Sequence, residues 1–171
     1  MSGQPETSRL FLGLWPGPGV RHALRERRDA WEWPRSATPV HTDKLHLTLH
    51  FLGGVSTARL PELQEGFAVP FAPFRVDLGM PVLWPHGLAV LEPLAIPAGL
   101  LALHDRLGEA LVALGLQPEA RAYRPHVTMA RRAGGVAIPD AGPLIAWDVD
   151  RYALVESRAG IYTVLREYVT A

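Results

Sequence analysis

One short pattern occurs twice in this chain, and it constrains the fold more than any other feature of the sequence. The segment HLTL at positions 46–49 returns as HVTM at positions 126–129, 80 positions further along a chain of 171 residues. Polar and apolar residues alternate in both copies, as they do along a β-strand that has one buried face. The pattern therefore predicts two strands, each presenting a histidine and a threonine on the same face.

The composition limits what such a protein can be. Apolar residues make up 48% of the chain, enough to bury a substantial core, and we predict one domain over residues 1–171. Lys plus Arg and Asp plus Glu both total 17, so binding of nucleic acid would require a local basic patch. The absence of cysteine excludes disulfides, thiolate zinc sites and a cysteine nucleophile. Without a signal-peptide pattern or an apolar run of ~20 residues, we expect a cytoplasmic protein with no membrane partner.

The apolar periodicity predicts an α+β fold, because helices and strands alternate without a regular βαβ repeat. Helices are predicted at 20–31, 57–67 and 98–114. The last of these has leucines at three- and four-residue spacing and Gly115 after its end. Arg21, Arg25 and Arg28 are expected on the solvated face of the first helix. Strands are predicted at 9–15, 45–51, 71–83, 88–91 and 126–130, followed by a terminal hairpin of 147–155 and 161–169.

A third histidine, His50, tests the strand interpretation. In an ideal strand it shares a face with His46, and its spacing from His46 is also that of a helical metal-ligand pair. Four strand residues span about 13 Å, however, which is too far for one metal ion to bridge. We therefore predict no metal site and place His50 at the edge of the cleft. The other four histidines have no comparable partner in the sequence and receive no role.

Two imidazoles and two hydroxyls presented in this way are suited to acid–base chemistry on an anionic substrate. No other catalytic signature competes with them. The chain has no Gly-x-Ser-x-Gly elbow, no phosphate-binding Gly-x4-Gly-Lys loop and no Gly-x-Gly-x-x-Gly dinucleotide turn.

Four segments carry a resemblance to a known family: RLFLGLWP, KLHLTLHFLGGV, YRPHVTMARR and the terminal LVESRAGIYTVLREY. They resemble the two-histidine phosphoesterase superfamily, and within it the LigT-like (ThpR) RNA 2′,3′-cyclic phosphodiesterases, formerly called 2′-5′ RNA ligases. The middle third of the chain matches only in outline. The resemblance implies two similar lobes of antiparallel sheet, with helices packed outside, around a central cleft to which each lobe contributes one motif.

The resemblance also implies how the site is divided. His46 would donate a proton to the ribose 3′ oxygen, and His126 would act as the base on water, leaving a 2′-phosphate. Thr48, Thr128 and Arg131 would bind the phosphate, with no metal and no cofactor, in a protein expected to be a monomer. Strict alternation turns Arg131 away from His126, so a twist or bulge at the end of that strand is needed.

Lys44 and Arg124 are candidate contacts to RNA phosphates at the rim of the cleft, and solvation alone would explain them equally well. Two alternative functions use the same residues. One is an RNA-end-binding module without turnover, which would not need a matched acid and base. The other is the reverse reaction, 2′-5′ ligation of RNA ends, which microscopic reversibility permits. The sequence symmetry itself leaves open which histidine is the acid and which the base.

Overall fold

The computed structural model describes residues 6–170, and the strands within this range all join one antiparallel sheet. The helices are α1 (Pro18–Asp29), α2 (Leu60–Gly66) and α3 (Ala98–Ala113). The strands are β1 (Thr7–Leu14), β2 (Thr38–Pro39), β3 (Leu47–Ser56), β4 (Phe74–Trp84), β5 (Leu88–Pro93), β6 (Val127–Arg131), β7 (Ile145–Val149), β8 (Arg151–Arg158) and β9 (Ile161–Val169). The fold is α+β, as predicted from the sequence.

The order of strands divides the sheet into two halves that meet at the motif strands. The order is β7-β4-β5-β6-β3-β1-β8-β9, with the short β2 paired to β6. We call β3, β1, β8 and β9 lobe A, and β6, β5, β4 and β7, together with β2, lobe B. The lobes join where β3 pairs with β6, through the single residue pair Leu47 and Val127. We call this junction the seam.

The helices cover one face of the sheet, and the motif histidines and threonines lie on the other. Leu47 and Val127 are fully buried in the same core as Leu24 of α1 and Leu103 of α3. Because side chains alternate along a strand, the residues on either side of Leu47 and Val127 face away from the helices. The core therefore fixes the direction in which the four polar motif residues point.

The leucine spacing predicted α3 well. Its buried residues are four of the five leucines of the predicted stripe, and Gly115, with a φ of 78°, follows its end. That positive φ is strained for residues that carry a Cβ atom, which explains the glycine. Even α3, with 16 residues, is not a candidate span, and no helix within residues 6–170 is long and apolar enough to cross a membrane.

The predicted solvated arginine face of α1 is wrong for two of its three members. Arg25 is exposed, but Arg21 donates hydrogen bonds to the carbonyl oxygens of Thr42 and Leu45. Arg28 donates to the carbonyl oxygen of Val40, and its side chain is only 13% exposed. These guanidinium groups tie α1 to the segment that leads into the first motif, a long-range role that helical periodicity does not reveal.

The predicted terminal hairpin is only partly correct. β8 and β9 pair as expected around a turn at Ala159 and Gly160, both with positive φ. However, residues 147–149 belong to β7, which ends before Asp150 and pairs with β4 at the far edge of lobe B. One residue thus carries the chain from the outer edge of lobe B into lobe A, which requires the sheet to curl around the cleft.

Candidate active site

The seam brings the two motifs side by side. Leu47 and Val127 are paired antiparallel, so the adjacent positions set His46 beside Thr128 and Thr48 beside His126. All four of these side chains are partly exposed, whereas Leu47 and Val127 are fully buried. The predicted site residues of both copies therefore line one cleft between the lobes.

Both histidines are held in the same tautomer by the same backbone contact. The Nδ1 atom of His46 lies 2.7 Å from the carbonyl oxygen of Lys44, and Nδ1 of His126 lies 2.8 Å from that of Arg124. Because a carbonyl oxygen only accepts, each Nδ1 carries a hydrogen. Each neutral ring therefore keeps its Nε2 lone pair free for a proton.

The partners of the two Nε2 atoms differ. In the neutral ring, Nε2 of His46 accepts a hydrogen bond from the Thr48 hydroxyl at 2.8 Å. Within residues 6–170, Nε2 of His126 has no hydrogen-bond partner. The first imidazole is thus already engaged by its own motif, while the second presents an open nitrogen.

A β-bulge follows the threonine in each motif. On β3, Thr48 pairs with Gly13 and His50 pairs with Leu12, so Leu49 is the extra residue. On β6, Thr128 pairs with Val90 and Ala130 pairs with Ala89, so Met129 is the extra residue. The fourth residue of each motif is therefore a bulge, and the alternation of faces shifts by one residue beyond it.

The bulges determine which face of the sheet Arg131, a predicted site residue, and His50 occupy. Arg131 returns to the cleft face by the kind of distortion that the sequence required of it, and its charge acts on both motif histidines. His50 instead shares the face of Leu12, which belongs to the core, and is only 6% exposed. The prediction that His50 shares a face with His46 is therefore wrong, although His50 does line the cavity at the edge of the cleft, as expected.

Aromatic rings enclose His46 in lobe A. Phe11 stacks on the imidazole at 4.6 Å between ring centroids, and Trp15 stacks at 5.8 Å. Tyr162 approaches edge-on at 5.7 Å, and the Nζ atom of Lys44 lies 5.3 Å from the centroid of this tyrosine ring. The first motif therefore sits in a largely apolar wall, made by β1 and the terminal hairpin.

Charged groups surround His126 in lobe B. Trp84 packs on the imidazole at 4.3 Å, and the Arg124 guanidinium carbon lies 4.3 Å from the centroid of the same indole. Glu92 accepts hydrogen bonds from the Trp84 indole and from Arg124, both at 2.9 Å. His126 thus has one indole with a guanidinium and a carboxylate beside it, whereas His46 is surrounded by a phenyl, an indole and a phenol ring.

Burial and charge shift the pKa of both imidazoles downward. Burial lowers the pKa of His46 to about 4, a backbone hydrogen bond opposes this, and the charges of His126 and Arg131 lower it further. Burial also lowers the pKa of His126, although the nearby Glu92 carboxylate favours its charged form. At neutral pH His46 is therefore neutral, and an anion between the rings would favour its protonation.

At the edge of the cleft, three rings form a column that sequence reasoning missed. His104 of α3 stacks on His50 at 4.0 Å on one side and on Tyr123 at 3.8 Å on the other. The Tyr123 hydroxyl donates to the carbonyl oxygen of Thr48 at 2.8 Å. We call these residues the ring column. The contacts of His50 with His104 and of Tyr123 with Thr48 join residues more than 50 positions apart, so no local pattern marks them.

A cavity of about 330 Å³ opens beside Thr48 and His126. Its other walls include the indole of Trp84, the phenyl ring of Phe51 and the guanidinium of Arg124. Phe51 is 55% exposed although it is a large apolar residue. Within the described part of the chain, no group of three or more His, Cys, Asp or Glu side chains could hold a metal ion. The cleft therefore combines two imidazoles with flat rings and positive charge.

The fold and the cleft define a class of α+β proteins in which two strands each bring a histidine and a threonine to one cleft. The family model that matches the sequence identifies the family within this class. Residues 19–160 match the 2′-5′ RNA ligase superfamily, and the chain belongs to it. The match covers both motifs, the ring column, all strands of lobe B and, in lobe A, β3 and β8. It confirms the resemblance that the four sequence segments carry.

Individual relatives agree with this assignment. The chain is 32% identical to an RNA 2′,3′-cyclic phosphodiesterase of Thermus thermophilus, in an alignment that covers 94% of this chain and 89% of the relative. It is 30% identical to an Escherichia coli protein of the same name, covering 89% of this chain and 88% of that protein. The crystal structure of E. coli LigT complexed with 3′-AMP has a TM-score of 0.88 and 27% identity, covering 97% of this chain and 99% of that one.

Proposed function

We propose that this protein is an enzyme that hydrolyses RNA 2′,3′-cyclic phosphate ends to 2′-phosphomonoesters with its paired histidines. The observation that carries the proposal is the seam, where two histidines in the same tautomer share a face with two threonines. The names of the relatives from T. thermophilus and E. coli support the same cyclic phosphodiester chemistry.

The reaction needs one proton removed and one supplied. His126, whose Nε2 is open, takes a proton from water as the water oxygen forms a bond to phosphorus. The bond from phosphorus to the ribose 3′ oxygen breaks, and protonated His46 gives its Nε2 proton to that oxygen. The product carries a 2′-phosphate and a 3′-hydroxyl, and the histidines have exchanged protonation states.

Charge on the phosphate must be held while the bonds change. The hydroxyls of Thr48 and Thr128 can donate to the non-bridging oxygens, and Arg131 supplies a positive charge on the same face. When an anion binds, the hydroxyl of Thr48 can turn from His46 to phosphate as His46 becomes protonated. These residues, with the two histidines, account for the transition state without a metal or a cofactor.

The pKa of about 4 sets a condition on His46 as the acid. It must gain its proton together with the anionic substrate, because a phosphodiester between the rings stabilises the imidazolium form. Glu92 beside His126 would instead favour a charged His126, so the surroundings of the two histidines do not themselves favour this division of roles. The division follows the family resemblance, and pH profiles of single variants test it.

The RNA itself would contact flat and positively charged surfaces next to the histidines. Trp84 and Phe51 offer stacking faces in the cavity beside His126, and Arg124 offers a positive charge at its rim. The chain as a whole has no net charge, so this local arrangement would carry the affinity. Ligation of 2′-5′ ends is the reverse of the same chemistry, and a module that only binds RNA ends is the non-catalytic alternative.

An oligonucleotide with a 2′,3′-cyclic phosphate end, incubated with the protein in EDTA, tests the proposal. We expect a 2′-phosphate product, identified by its resistance to an enzyme specific for 3′-phosphates. His22→Ala, at an exposed histidine on α1, is the matched control and should leave the rate unchanged. A 3′-phosphate product, or activity that EDTA abolishes and a divalent ion restores, would contradict the mechanism. Binding without turnover would favour the RNA-end-binding alternative.

A further inference from the structure

We propose that Tyr123 is a positioning residue that holds Thr48 in place across the seam. Its hydroxyl donates to the Thr48 carbonyl oxygen at 2.8 Å, and the Thr48 hydroxyl in turn lies 2.8 Å from Nε2 of His46. The inference rests on the proposed function, because it assigns Tyr123 a part in the same reaction.

The contact lies where the sheet provides no other tie between the lobes. β3 and β6 pair only through Leu47 and Val127, and Thr48 is the next residue along β3. Tyr123 lies in the segment leading into β6, so its hydroxyl reaches from the lobe B side to the lobe A motif. A partly buried carbonyl that lost this donor would have to find another or pay a desolvation penalty.

The ring column holds the Tyr123 ring itself. The rings of Tyr123 and His104 are within 11° of parallel, and those of His104 and His50 are within 16°. The column is anchored at its far end, because Nε2 of His50 donates to the carbonyl oxygen of His104 at 2.8 Å. α3 and β3 thus fix the plane of the tyrosine ring, which directs its hydroxyl toward the carbonyl oxygen of Thr48.

The protonation of Tyr123 suits a permanent donor. Burial raises the pKa of its phenol far above the ordinary value, so the hydroxyl keeps its hydrogen throughout the range in which the histidines titrate. By fixing the Thr48 backbone, this donor keeps the threonine hydroxyl between His46 and the site of the phosphate. The contact is more important in the transition state, where the phosphate charge is greatest.

The test is a double-mutant cycle between Tyr123→Phe and Thr48→Val, both of which remove a hydroxyl and keep the shape. We expect Tyr123→Phe alone to lower kcat roughly 10-fold, the effect of one lost hydrogen bond, with KM changed less than about 2-fold. In the Thr48→Val background the same substitution should change kcat less than about 2-fold, because the group it positions is gone. An equal loss in both backgrounds would overturn the proposal.

Tyr168→Phe is the matched control for lost stability. Its hydroxyl also donates to a backbone carbonyl, that of Gln64 at 2.7 Å, and its residue lies in β9, outside the cleft. It should reduce the free energy of unfolding as much as Tyr123→Phe does and leave kcat unchanged. If both variants lower kcat in proportion to their loss of stability, Tyr123 is structural only.

A readout without substrate separates this proposal from the proposed function. NMR titration gives the pH midpoint of His46 in the protein without substrate. Tyr123→Phe should shift this midpoint when Thr48 is present and leave it unchanged in the Thr48→Val variant. No shift in either background would overturn the positioning role. If the wild-type protein hydrolyses no cyclic phosphate, the proposed function fails, and this titration still decides whether Tyr123 acts on the Thr48–His46 pair.

Discussion

His46 and His126 share a tautomer, a backbone contact, a threonine two residues later and a bulge after that threonine, but their surroundings differ. Phe11 and Trp15 stack on His46, whose Nε2 is bonded to Thr48. His126 has an open Nε2 and a carboxylate near it. A common backbone can therefore present two imidazoles alike, while their neighbours make their proton affinities unequal.

The residues two positions beyond each bulge show the same divergence. Phe51 in lobe A and Arg131 in lobe B both lie five residues after their motif histidine, and both bulges turn them to the cleft face. One offers a stacking surface, and the other offers charge. Both lobes therefore use a bulge to turn this residue toward the cleft, and the two lobes differ in the side chain that they place there.

Removing either histidine should have the largest effect. We expect His46→Ala and His126→Ala each to lower kcat at least ~100-fold, the lower range for a positioned acid or base. His50→Ala should cost far less in kcat, because His50 faces the core. Steady-state kinetics on a cyclic-phosphate oligonucleotide measure all three. An equally damaging His50→Ala would show that the pair is wrongly assigned.

The equivalent positions Arg131 and Phe51 provide the next test. Arg131→Ala should lower kcat/KM by about 10- to 100-fold, the range for losing a hydrogen bond from a charged group to an anion. Phe51→Ala should lower kcat/KM less than about 10-fold and mainly through KM, because stacking contributes to binding. If the two variants had the same pattern of kcat and KM, the division between charge and stacking would be wrong.

The unequal proton affinities predict two different pH profiles. Because the pKa of His46 without substrate is about 4, the basic limb of the kcat/KM profile should lie below pH 6.5. A bound phosphate raises this pKa, so the basic limb of the kcat profile should lie above pH 6.5. Both limbs belong to the coupled pair. His46→Ala should lose the basic limb, and His126→Ala the acidic one. The opposite losses would reverse the roles of acid and base.

The smallest effect is on stability in acid. His46 and His104 have pKa values of about 4 when folded, below the unfolded value of about 6.5. The unfolded chain therefore binds more protons as the pH falls from 6.5 to 4, and the free energy of unfolding should decrease over that range. Urea unfolding at several pH values measures this, and His104→Phe should make the dependence shallower while keeping the ring stack.

The main elements could be predicted because they rest on local periodicity. The leucines of α3 and the alternation in both motifs give the α+β class, the motif strands and the four polar cleft residues. A bulge near the end of β6 was expected only because Arg131 required it, and the bulge on β3 could not be predicted, because the extra residues, Leu49 and Met129, are ordinary apolar residues with no positive φ. The strand change at Asp150 was hidden for a similar reason, since buried and exposed residues alternate throughout β7.

The contacts of the ring column and of Arg21 and Arg28 join segments far apart in the chain, and a single sequence gives no pattern for such contacts. The roles of the site residues, the single domain over 1–171 and the monomeric state stay predictions. Of these, the roles have the strongest physical argument, because the seam fixes which side chains can act on one phosphate.

The passage of the chain through Asp150 affects the order in which the protein can fold. Lobe B is built almost entirely from one stretch, residues 74–149, whereas lobe A takes β1 and β3 from the first third of the chain and β8 and β9 from its end. During synthesis, Phe11 cannot pack against Val155, its partner on β8, until the end of the chain has been made, so the aromatic surroundings of His46 form late. The two copies of the motif therefore do not mark two independently folding halves, and a nascent chain completes its first histidine site last.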